Sequence, residues 1–429
     1  MAADYIDTYY RRSLVANQPY PVLARDVAVD VAVVGGGLAG LSTALECARR
    51  GLKVALLERH RIAWGASGRN GGFVTAGYAT GLETIRRRVN AADADALYRL
   101  SMEGVEMVRD NISALDIKGV DPTPGILRVI RYDGGDGIKA YRDEMARRFG
   151  EEMRYLAREE VQALTASPVY HQGLYEESGF HFHPLNYALG LAAEIARLGG
   201  IVAEGTPVIG IESIGGKHIA QVPGARVTAR HIVHCGGGYT DGLERRLRRA
   251  YLPIATYVLL TEKLGPLLKE AIRTEAAIAD DRRAGDYYRV VDGDRILWGG
   301  RITTRVADPA DLATLLRRQM VGTYPQLGEV KVDLAWSGLM SYARHLMPQI
   351  GRLDAGLWHA TGFGGHGMNT TAIAGRVVAQ AISGEGDRIR LYEPFGLDWA
   401  GGHIGRAAAQ LTYWAYQAMD AWRERHNGR

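Results

Sequence analysis

Three glycines and one glutamate have the residue types and the spacing needed to bind a dinucleotide. Gly35, Gly37 and Gly40 follow the pattern G-x-G-x-x-G, and Glu58 comes eighteen residues after the last of them. The first glycine permits a tight turn, the second lets a pyrophosphate approach the backbone, and the third lets a helix lie close to a strand. An acid at this distance accepts hydrogen bonds from a ribose hydroxyl. The motif predicts a dinucleotide without distinguishing FAD from NAD.

The motif needs a strand–helix–strand unit to position it, and the sequence predicts all three elements. Residues 31–34 are mostly valine, as in a buried parallel strand, and residues 54–57 form a second apolar run. Residues 41–48 lie between these runs and have a helical apolar pattern. The N-terminus of such a helix presents N–H groups and a positive dipole end to a phosphate.

Further glycine-rich turns are expected beside the same ligand. The chain contains 54 glycines, well above the usual share of roughly 7%. Part of the excess falls in residues 65–72, 236–238 and 362–367. The loop 65–72 follows Glu58 almost at once, so we expect it near the bound dinucleotide.

Composition argues against several classes of protein. The net charge is +4, and the basic runs at 86–88 and 245–249 have helical patterns, which indicates solvated helix faces rather than a nucleic-acid partner. Cys47 and Cys235 are too few for a disulfide framework and are predicted to be buried thiols. Without an apolar run of 18 residues or an apolar segment within residues 1–20, we expect no membrane span and a cytoplasmic location. No pattern predicts an oligomeric state.

Two histidines are the best candidates for metal ligands. His181 and His183 alternate in a predicted strand, so they are expected to share one strand face. A metal site needs a third ligand, and none stands out nearby. We therefore expect no metal site.

At residue 251 the predicted secondary structure changes. Alternating strands and helices give way to long strands in which apolar and polar residues alternate. Residues 251–262, 287–291 and 295–299 are the clearest strands, and the last two flank an Asp-Gly turn. Alternating strands and helices are predicted again from residue 357. The nucleotide-binding domain is therefore expected to be discontinuous in sequence. The expected limits are a nucleotide-binding domain over 27–95, 155–245 and 345–395, a substrate domain over 96–154 and 246–344, and a C-terminal helix over 396–429.

The predicted C-terminal helix is amphipathic. Leu411, Trp414, Ala415, Ala418 and Trp422 lie on one stripe. The stripe is short and its flank holds charges of both signs, so we expect it to dock on the protein rather than to anchor in a membrane.

Several motifs together resemble those of the FAD-dependent amine and amino-acid oxidoreductases, the family of glycine oxidase, D-amino-acid oxidase and sarcosine oxidase. Residues 65–72, 183–186, 286–289, 347–352 and 364–367 are most similar to the γ-glutamylputrescine oxidoreductase branch. The resemblance implies an α/β plus antiparallel β fold, with a Rossmann-like FAD-binding domain of the glutathione-reductase type and an inserted antiparallel-sheet substrate domain. It also implies non-covalent FAD, because the chain lacks the cysteine that holds the flavin in the sarcosine branch.

The resemblance implies that the flavin ring lies between the loop 65–72 and the turn 362–368. The helix that begins near His366 would then direct its positive end at the flavin and stabilise the negative charge that arrives on reduction. The implied cofactor-binding residues are Gly35, Gly37, Leu38, Ala39, Gly40, Glu58, Arg59, Ala66, Ser67, Arg69, Asn70, Gly71, Gly72, Val208, Gly236, Gly362, Gly364, Gly365, His366, Gly367 and Met368.

The implied reaction is hydride transfer to the flavin from the carbon next to a neutral amine, giving an imine that hydrolyses. An ammonium has no lone pair to drive this transfer, so the pocket should favour the free amine. The catalytic candidates are His366, Trp298 and Tyr288. A structural role suits His366 equally well, and Trp298 replaces the oxygen-activating lysine of the sarcosine branch, which leaves oxidase and dehydrogenase open.

The substrate region departs from the amino-acid oxidases. Their Gly-x-Arg-Pro motif, which binds the substrate carboxylate, corresponds here to residues 338–341, which contain no arginine. A buried carboxylate without a bidentate partner is costly. Simple α-amino acids are therefore disfavoured, unless Arg301, Arg344 or another basic group binds the carboxylate from a new direction. The substrate-binding candidates are Tyr257, Arg301, Met340 and Arg344.

The sequence thus predicts oxidation of a small-molecule amine that resembles γ-glutamylputrescine. A secondary or cyclic amino-acid oxidase, acting on a substrate such as pipecolate or sarcosine, is the alternative within the family. An NAD-dependent dehydrogenase is the more distant alternative, and it depends on the first glycine motif alone.

Overall fold

A mostly parallel sheet forms one half of the protein. The computed structural model describes residues 3–240, 242–283 and 285–427. Within them, this first sheet has the strand order β16-β17-β10-β1-β2-β7, and β9 pairs with β10 and β8. Its strands are β1 (Val27–Val34), β2 (Val54–Leu57), β7 (Ile201–Ala203), β8 (Gly210–Ile214), β9 (Lys217–Val222), β10 (Ala225–His234), β16 (Gln349–Asp354) and β17 (Leu357–Thr361).

The first sheet brings together three distant stretches of the chain. β1 lies between β2 and β10 and is parallel to both, and β17 is parallel to β10. Val31, Ala32 and Val33 are fully buried because helices and loops cover both faces. The carboxyl ends of parallel strands meet at one edge, so Val34, Leu57 and their counterparts define a single ligand edge.

The second sheet is mostly antiparallel and has nine strands in the described residues. One of its faces packs towards the first sheet, and the other covers a separate core that includes Leu259, Leu316 and Met320. Its strands are β3 (Phe73–Val74), β4 (Thr123–Val129), β5 (Met153–Leu156), β6 (Gly173–His181), β11 (Tyr251–Thr261), β12 (Ala277–Asp280), β13 (Tyr287–Val291), β14 (Arg295–Thr303) and β15 (Val332–Ala343).

Helices fill the layer beside the first sheet and flank the second. α2, which is buried along almost its whole length, follows β1 directly; α11 packs against both α2 and α4, and α7 packs against α2. The helices are α1 (Tyr9–Arg12), α2 (Leu38–Arg49), α3 (Leu82–Arg86), α4 (Ala91–Ala114), α5 (Gly135–Phe149), α6 (Arg158–Leu164), α7 (Pro184–Arg197), α8 (Arg245–Ala250), α9 (Leu267–Ala271), α10 (Leu312–Thr323), α11 (Gly367–Ser383) and α12 (Gly402–Asn427).

Two elements cross the expected domain limits. β6 pairs with β4 and β5 in the second sheet, although residues 155–245 were expected in the nucleotide-binding domain. α4 runs without a break through the expected boundary at residues 95–96, and its N-cap Asn90 accepts a hydrogen bond from the backbone N–H of Asp93. The pairing of β6 is set by strands distant in sequence, which local patterns do not reveal. The domain limits stay a prediction.

The docking of α12 differs from the expectation. Its polar side meets the protein: Gln410 accepts a hydrogen bond from Thr303 (3.0 Å), and Glu424 pairs with Arg131 (3.4 Å). The apolar stripe points outward instead of packing, because charged and hydroxyl groups at the ends of the second sheet select the polar side. The exposed side chains include Leu411 (61%), Trp414 (57%) and Trp422 (60%). None of the helices in the described chain is both long enough and apolar enough to span a membrane.

Candidate active site

One cavity of about 660 Å³ lies at the ligand edge of the first sheet and extends over one face of the second sheet. Its size is that of a cofactor or small-ligand site. The turn after β1 and the turn before α11 both line it, so the two turns face a common space. The cofactor candidates that line it are Gly35, Gly37, Leu38, Ala39, Glu58, Arg59, Ala66, Ser67, Arg69, Asn70, Gly71, Gly72, Val208, Gly236, Gly364, Gly365, His366, Gly367 and Met368.

The turn between β1 and α2 has the geometry that the glycine motif requires. Gly35 has φ of +105°, which favours glycine, and a Cβ on Gly40 would lie 1.9 Å from the carbonyl oxygen of Gly35. Gly40 therefore does not line the cavity but lets α2 approach β1. The N-cap Gly37 offers no side chain to the first turn of α2, so apart from the N–H of Leu38, which Ser67 accepts, the positive end of the helix is available to an anion.

Glu58 lies at the carboxyl end of β2, where the dinucleotide motif places a ribose-binding acid. Its carboxylate accepts hydrogen bonds from the backbone N–H groups of Gly36 (2.6 Å) and His60 (2.8 Å). Burial raises the pKa of this carboxyl, and the two N–H groups oppose the rise. Arg59 and Val208 line the cavity beside it.

The loop 65–72 is held in place by its own side chains. The Ser67 hydroxyl accepts a hydrogen bond from the N–H of Leu38 (3.0 Å), which ties the loop to the start of α2. The amide of Asn70 donates to the carbonyl of Ser67 (2.9 Å) and accepts from the N–H of Gly72 (2.8 Å). Two backbone segments are therefore fixed around the space where the glycine motif predicts a pyrophosphate.

A buried donor in this loop also fits a bound dinucleotide. Arg69 lines the cavity, and its guanidinium carbon lies 4.3 Å from the centroid of the Trp64 ring. Its Nη2 atom is buried without a hydrogen-bond partner in the described part of the chain. Such a donor is costly unless a ligand oxygen satisfies it. The glycine cradle and this donor together fit a dinucleotide such as FAD.

The N-terminus of α11 forms the opposite wall of the cavity. His366 is its N-cap, and the Nε2–H of the imidazole lies within hydrogen-bonding distance of the carbonyl oxygens of Thr75 (3.1 Å) and Ala76 (3.2 Å). Burial lowers the pKa of His366 to about 4, so the ring is neutral near pH 7. The helix end, rather than a charged imidazole, therefore supplies the positive potential. Gly362 lies just outside the cavity, against Gln349.

The second sheet supplies an aromatic wall. Tyr287 and Tyr342 line the cavity together with Thr256 and Met340, and the hydroxyls of Tyr287 and Thr256 are 3.3 Å apart. Burial raises the pKa of Tyr342 to about 12, so its hydroxyl stays protonated. Gly364 donates its N–H to the carbonyl of Ser341 (2.8 Å), which joins this wall to the turn before α11.

Three of the sequence-based candidates lie on the wrong face of the second sheet. Tyr257, Tyr288 and Trp298 are fully buried in the separate core, and the rings of Tyr288 and Trp298 stack with centroids 4.1 Å apart. Successive residues of a strand point to opposite faces, so an error of one position moves a side chain from the cavity to the core. Thr256 and Tyr287, which precede Tyr257 and Tyr288 in sequence, line the cavity instead.

The two proposed carboxylate-binding arginines do not line the cavity, whereas Met340 does. Arg344 is exposed, at the end of β15. Arg301 has φ of +53°, which turns the backbone where β11 and β14 shift register. The sequence missed Arg128 of β4, which does line the cavity. A basic residue inside an apolar strand was the available signal.

The two histidines considered as metal ligands are separated by the end of β6. His181 ends the strand, whereas His183 is the N-cap of α7 and accepts a hydrogen bond from the N–H of Asn186 (3.0 Å). They therefore do not share a strand face. Across the described ranges, no group of three or more His, Cys, Asp or Glu side chains is arranged to hold a metal ion.

Comparison with known proteins gives a consistent result along the chain. The family model "DAO: FAD dependent oxidoreductase" matches residues 30–381. The chain is 34% identical to γ-glutamylputrescine oxidoreductase of Escherichia coli K12 over 388 residues, which are 90% of this chain and 91% of that protein. It is 28% identical to the probable oxidoreductase OrdL of Haemophilus influenzae over 429 residues, with 98% of each chain covered.

Solved structures share the architecture. Glycine oxidase from Geobacillus kaustophilus superposes with a TM-score of 0.72 at 21% identity, and the superposition covers 86% of this chain and 98% of that one. This similarity shows the fold alone. It confirms the predicted combination of a Rossmann-like FAD-binding domain with a sheet domain.

Proposed function

The chain belongs to the family of FAD-dependent oxidoreductases, and from this premise we propose that it oxidises a carbon–nitrogen bond of a small amine similar to γ-glutamylputrescine. The imine formed would hydrolyse to an aldehyde. The observation that carries the proposal is the 34% identity to γ-glutamylputrescine oxidoreductase along 90% of the chain. Family membership confirms FAD as the cofactor and leaves the NAD-dependent alternative without support.

The residues that would hold FAD extend along the whole cavity. The turn at Gly35 and Gly37 would hold the pyrophosphate and Glu58 the ribose, and the loop 65–72 and the start of α11 would enclose the flavin ring. Bound FAD would supply the acceptor for a hydride from the carbon next to the amine nitrogen. Non-covalent binding remains part of the proposal, as does the cytoplasmic location, which the buried free thiols Cys47 and Cys235 support.

The chain's own residues would bind the amine and keep it neutral. Tyr287, Tyr342 and Met340 would present aromatic and apolar groups to the amine, and such surroundings favour the uncharged amine over the ammonium. The positive end of α11, which begins at Gly367, faces the same space and would stabilise negative charge there. This arrangement needs no dedicated base. His366, with Nε2 engaged by backbone carbonyls, would hold the segment 75–76 in place.

The test is anaerobic mixing of the FAD-loaded protein with candidate amines. We expect γ-glutamylputrescine to bleach the visible flavin band and to be turned over with higher kcat/KM than pipecolate, sarcosine or glycine. Oxygen uptake measured in parallel separates an oxidase from a dehydrogenase. Faster reduction by pipecolate or sarcosine would replace the proposal with the amino-acid alternative, and indifference to every amine would end it.

A further inference from the structure

A basic side chain on the face of the second sheet, that of Arg128, lines the cavity. Arg128 of β4 lies opposite Ala279 of β12, which lies opposite Tyr287 of β13, so the three residues form one row across the sheet. Arg128 and Tyr287 both line the cavity. Neighbouring strands lie about 4.8 Å apart, which places the two backbones about 10 Å from each other.

A buried carboxylate holds only one edge of this guanidinium. Glu176 of β6 accepts hydrogen bonds from Nε (3.0 Å) and Nη2 (2.8 Å) of Arg128 with a single oxygen, Oε2. Glu176 itself has no exposed surface, whereas 40% of the Arg128 side chain is open. A guanidinium has five N–H donors in a planar fork, so the edge formed by Nη1 and Nη2 stays available to a second carboxylate.

The surroundings keep Arg128 charged and close to the reacting end of the cavity. The Glu176 carboxylate raises the pKa of Arg128. Arg128 lines the same cavity as His366 at the start of α11. Burial first, and then the Arg128 charge, lowers the pKa of His366. The carboxylate of Glu151, another acid near Glu176, accepts a hydrogen bond from the Tyr98 hydroxyl (2.5 Å).

We infer that Arg128 binds a carboxylate carried by the substrate amine, with Glu176 as a positioning residue that fixes the guanidinium. The inference rests on the proposed function. A carboxylate at Arg128 is several atoms away from an amine held beside Tyr287, as in a γ-glutamyl amine and unlike in an α-amino acid. Residues 338–341 lack the arginine that binds the substrate carboxylate in the amino-acid oxidases. Arg128 would bind the carboxylate in its place, from a different side of the cavity.

Two substrates that differ only in the carboxylate provide the test. γ-Glutamylputrescine is compared with N-(4-aminobutanoyl)putrescine, which has the same reacting amine but no carboxylate. Truncating one partner of a buried charge pair typically costs enough for an effect of about 100-fold. We expect the wild type to prefer the carboxylate by about 100-fold in kcat/KM, chiefly through KM, and to discriminate against glycine.

Because Arg128→Gln alone leaves Glu176 buried and unpaired, it risks misfolding. The double variant Arg128→Gln/Glu176→Gln removes both charges, and we expect it to lower kcat/KM for γ-glutamylputrescine far more than for the analogue, so that the preference falls to about threefold. Arg128→Lys should restore part of the preference, because it keeps the charge but not the fork. The matched control is Arg295→Gln/Asp333→Asn, an ion pair of 2.9 Å in the same sheet outside the cavity, which should leave the preference unchanged.

A binding measurement separates this inference from the proposed function. Glutarate, an unreactive dicarboxylate, should perturb the flavin absorption of the wild type and bind about 100-fold more weakly to the double variant. If no amine is turned over but glutarate behaves this way, the carboxylate site stands and the proposed function fails. If the amine is turned over and the double variant keeps the full preference, or loses both substrates equally, the inference is wrong.

Discussion

The two walls of the cavity recognise a ligand in different ways. The edge of the first sheet presents backbone: the turn at Gly35, the first turn of α2 and the start of α11 offer N–H groups and helix ends. The face of the second sheet presents side chains, among them Tyr287, Thr256 and Arg128. Most residues predicted for the first wall line the cavity, whereas Tyr257, Tyr288 and Trp298 of the second sheet lie in the core on its other face.

The difference follows from what each wall demands of the chain. Backbone recognition needs glycine at fixed spacing inside a strand–turn–helix, and that requirement is local and visible in the sequence. Side-chain recognition depends on which of two faces a strand residue occupies, and a shift of one position changes the face. The bulge between Thr256 and Tyr257 is such a shift, and it arises from the partner strand.

The largest effect is expected at the backbone wall, from Gly40→Val. Even a Cβ at this position would lie 1.9 Å from the carbonyl oxygen of Gly35, so α2 must move away from β1. We expect a protein that contains no FAD, measured as flavin absorbance per chain after purification. Gly137→Ala in α5, where a Cβ meets nothing within 4 Å, is the matched control and should keep its FAD. A yellow Gly40→Val protein would contradict the geometry.

The next largest effects are expected from substitutions on the two faces of the second sheet, one in the separate core and one in the cavity. Trp298→Ala removes a fully buried ring stacked on Tyr288, so the free energy of unfolding should fall by about 3–5 kcal/mol, measured by urea denaturation. Its kcat/KM in the folded protein should stay within about threefold, since it does not line the cavity. Tyr287→Ala on the other face should instead lower kcat/KM by at least about tenfold. If Trp298→Ala instead lowered kcat/KM at least about tenfold and Tyr287→Ala did not, a catalytic role for Trp298 would be supported.

A smaller effect, on the affinity for FAD, is expected from Glu58→Gln. Glu58 is the one side chain of the backbone wall that the dinucleotide motif requires. The glutamine can still accept from Gly36, but its NH2 group then faces the N–H of His60. It also loses the charge-assisted hydrogen bonds to the ribose, typically about 1.5–2 kcal/mol. The Kd for FAD should rise about 10- to 30-fold, measured by fluorescence titration of the apoprotein. Glu385→Gln, which affects a surface pair with Arg50, should leave the Kd unchanged. An unaltered Kd in Glu58→Gln would remove the glutamate from the cofactor site.

The smallest effect is a pH dependence at the N-cap of α11. The pKa of His366 is about 4 in the folded protein and near 6.5 when unfolded, so unfolding takes up a proton as the pH falls. The corresponding stability is complete above pH 6.5 and is lost as the pH falls towards 4. Between pH 7 and pH 5.5, His366→Gln should therefore lose less stability than the wild type, by about 1 kcal/mol. Parallel stability curves for the two proteins would show that the imidazole is not buried as described.

How much of the molecule could be predicted depends on how local the cause of each feature is. The βαβ unit, the turn before α11 and the Asp-Gly hairpin at Asp292 are local, and the structure has all three. The place of β6 depends on β4, and the outward stripe of α12 depends on acids and arginines at the ends of other strands. The sequence alone did not indicate that Arg128 lines the cavity, because its position depends on how the strands of the second sheet pair.

Because β1, β10 and β17 come from distant parts of the chain, the order of synthesis constrains assembly. A ribosome releases the glycine turn early, but the strand and helix that complete the opposite side of the pocket emerge more than three hundred residues later. Until then the last residues of β10, which pair with β17 in the complete sheet, form an open edge of the kind that favours aggregation and chaperone binding. Flavin uptake must therefore follow the synthesis of β17 and α11 rather than accompany that of the glycine turn.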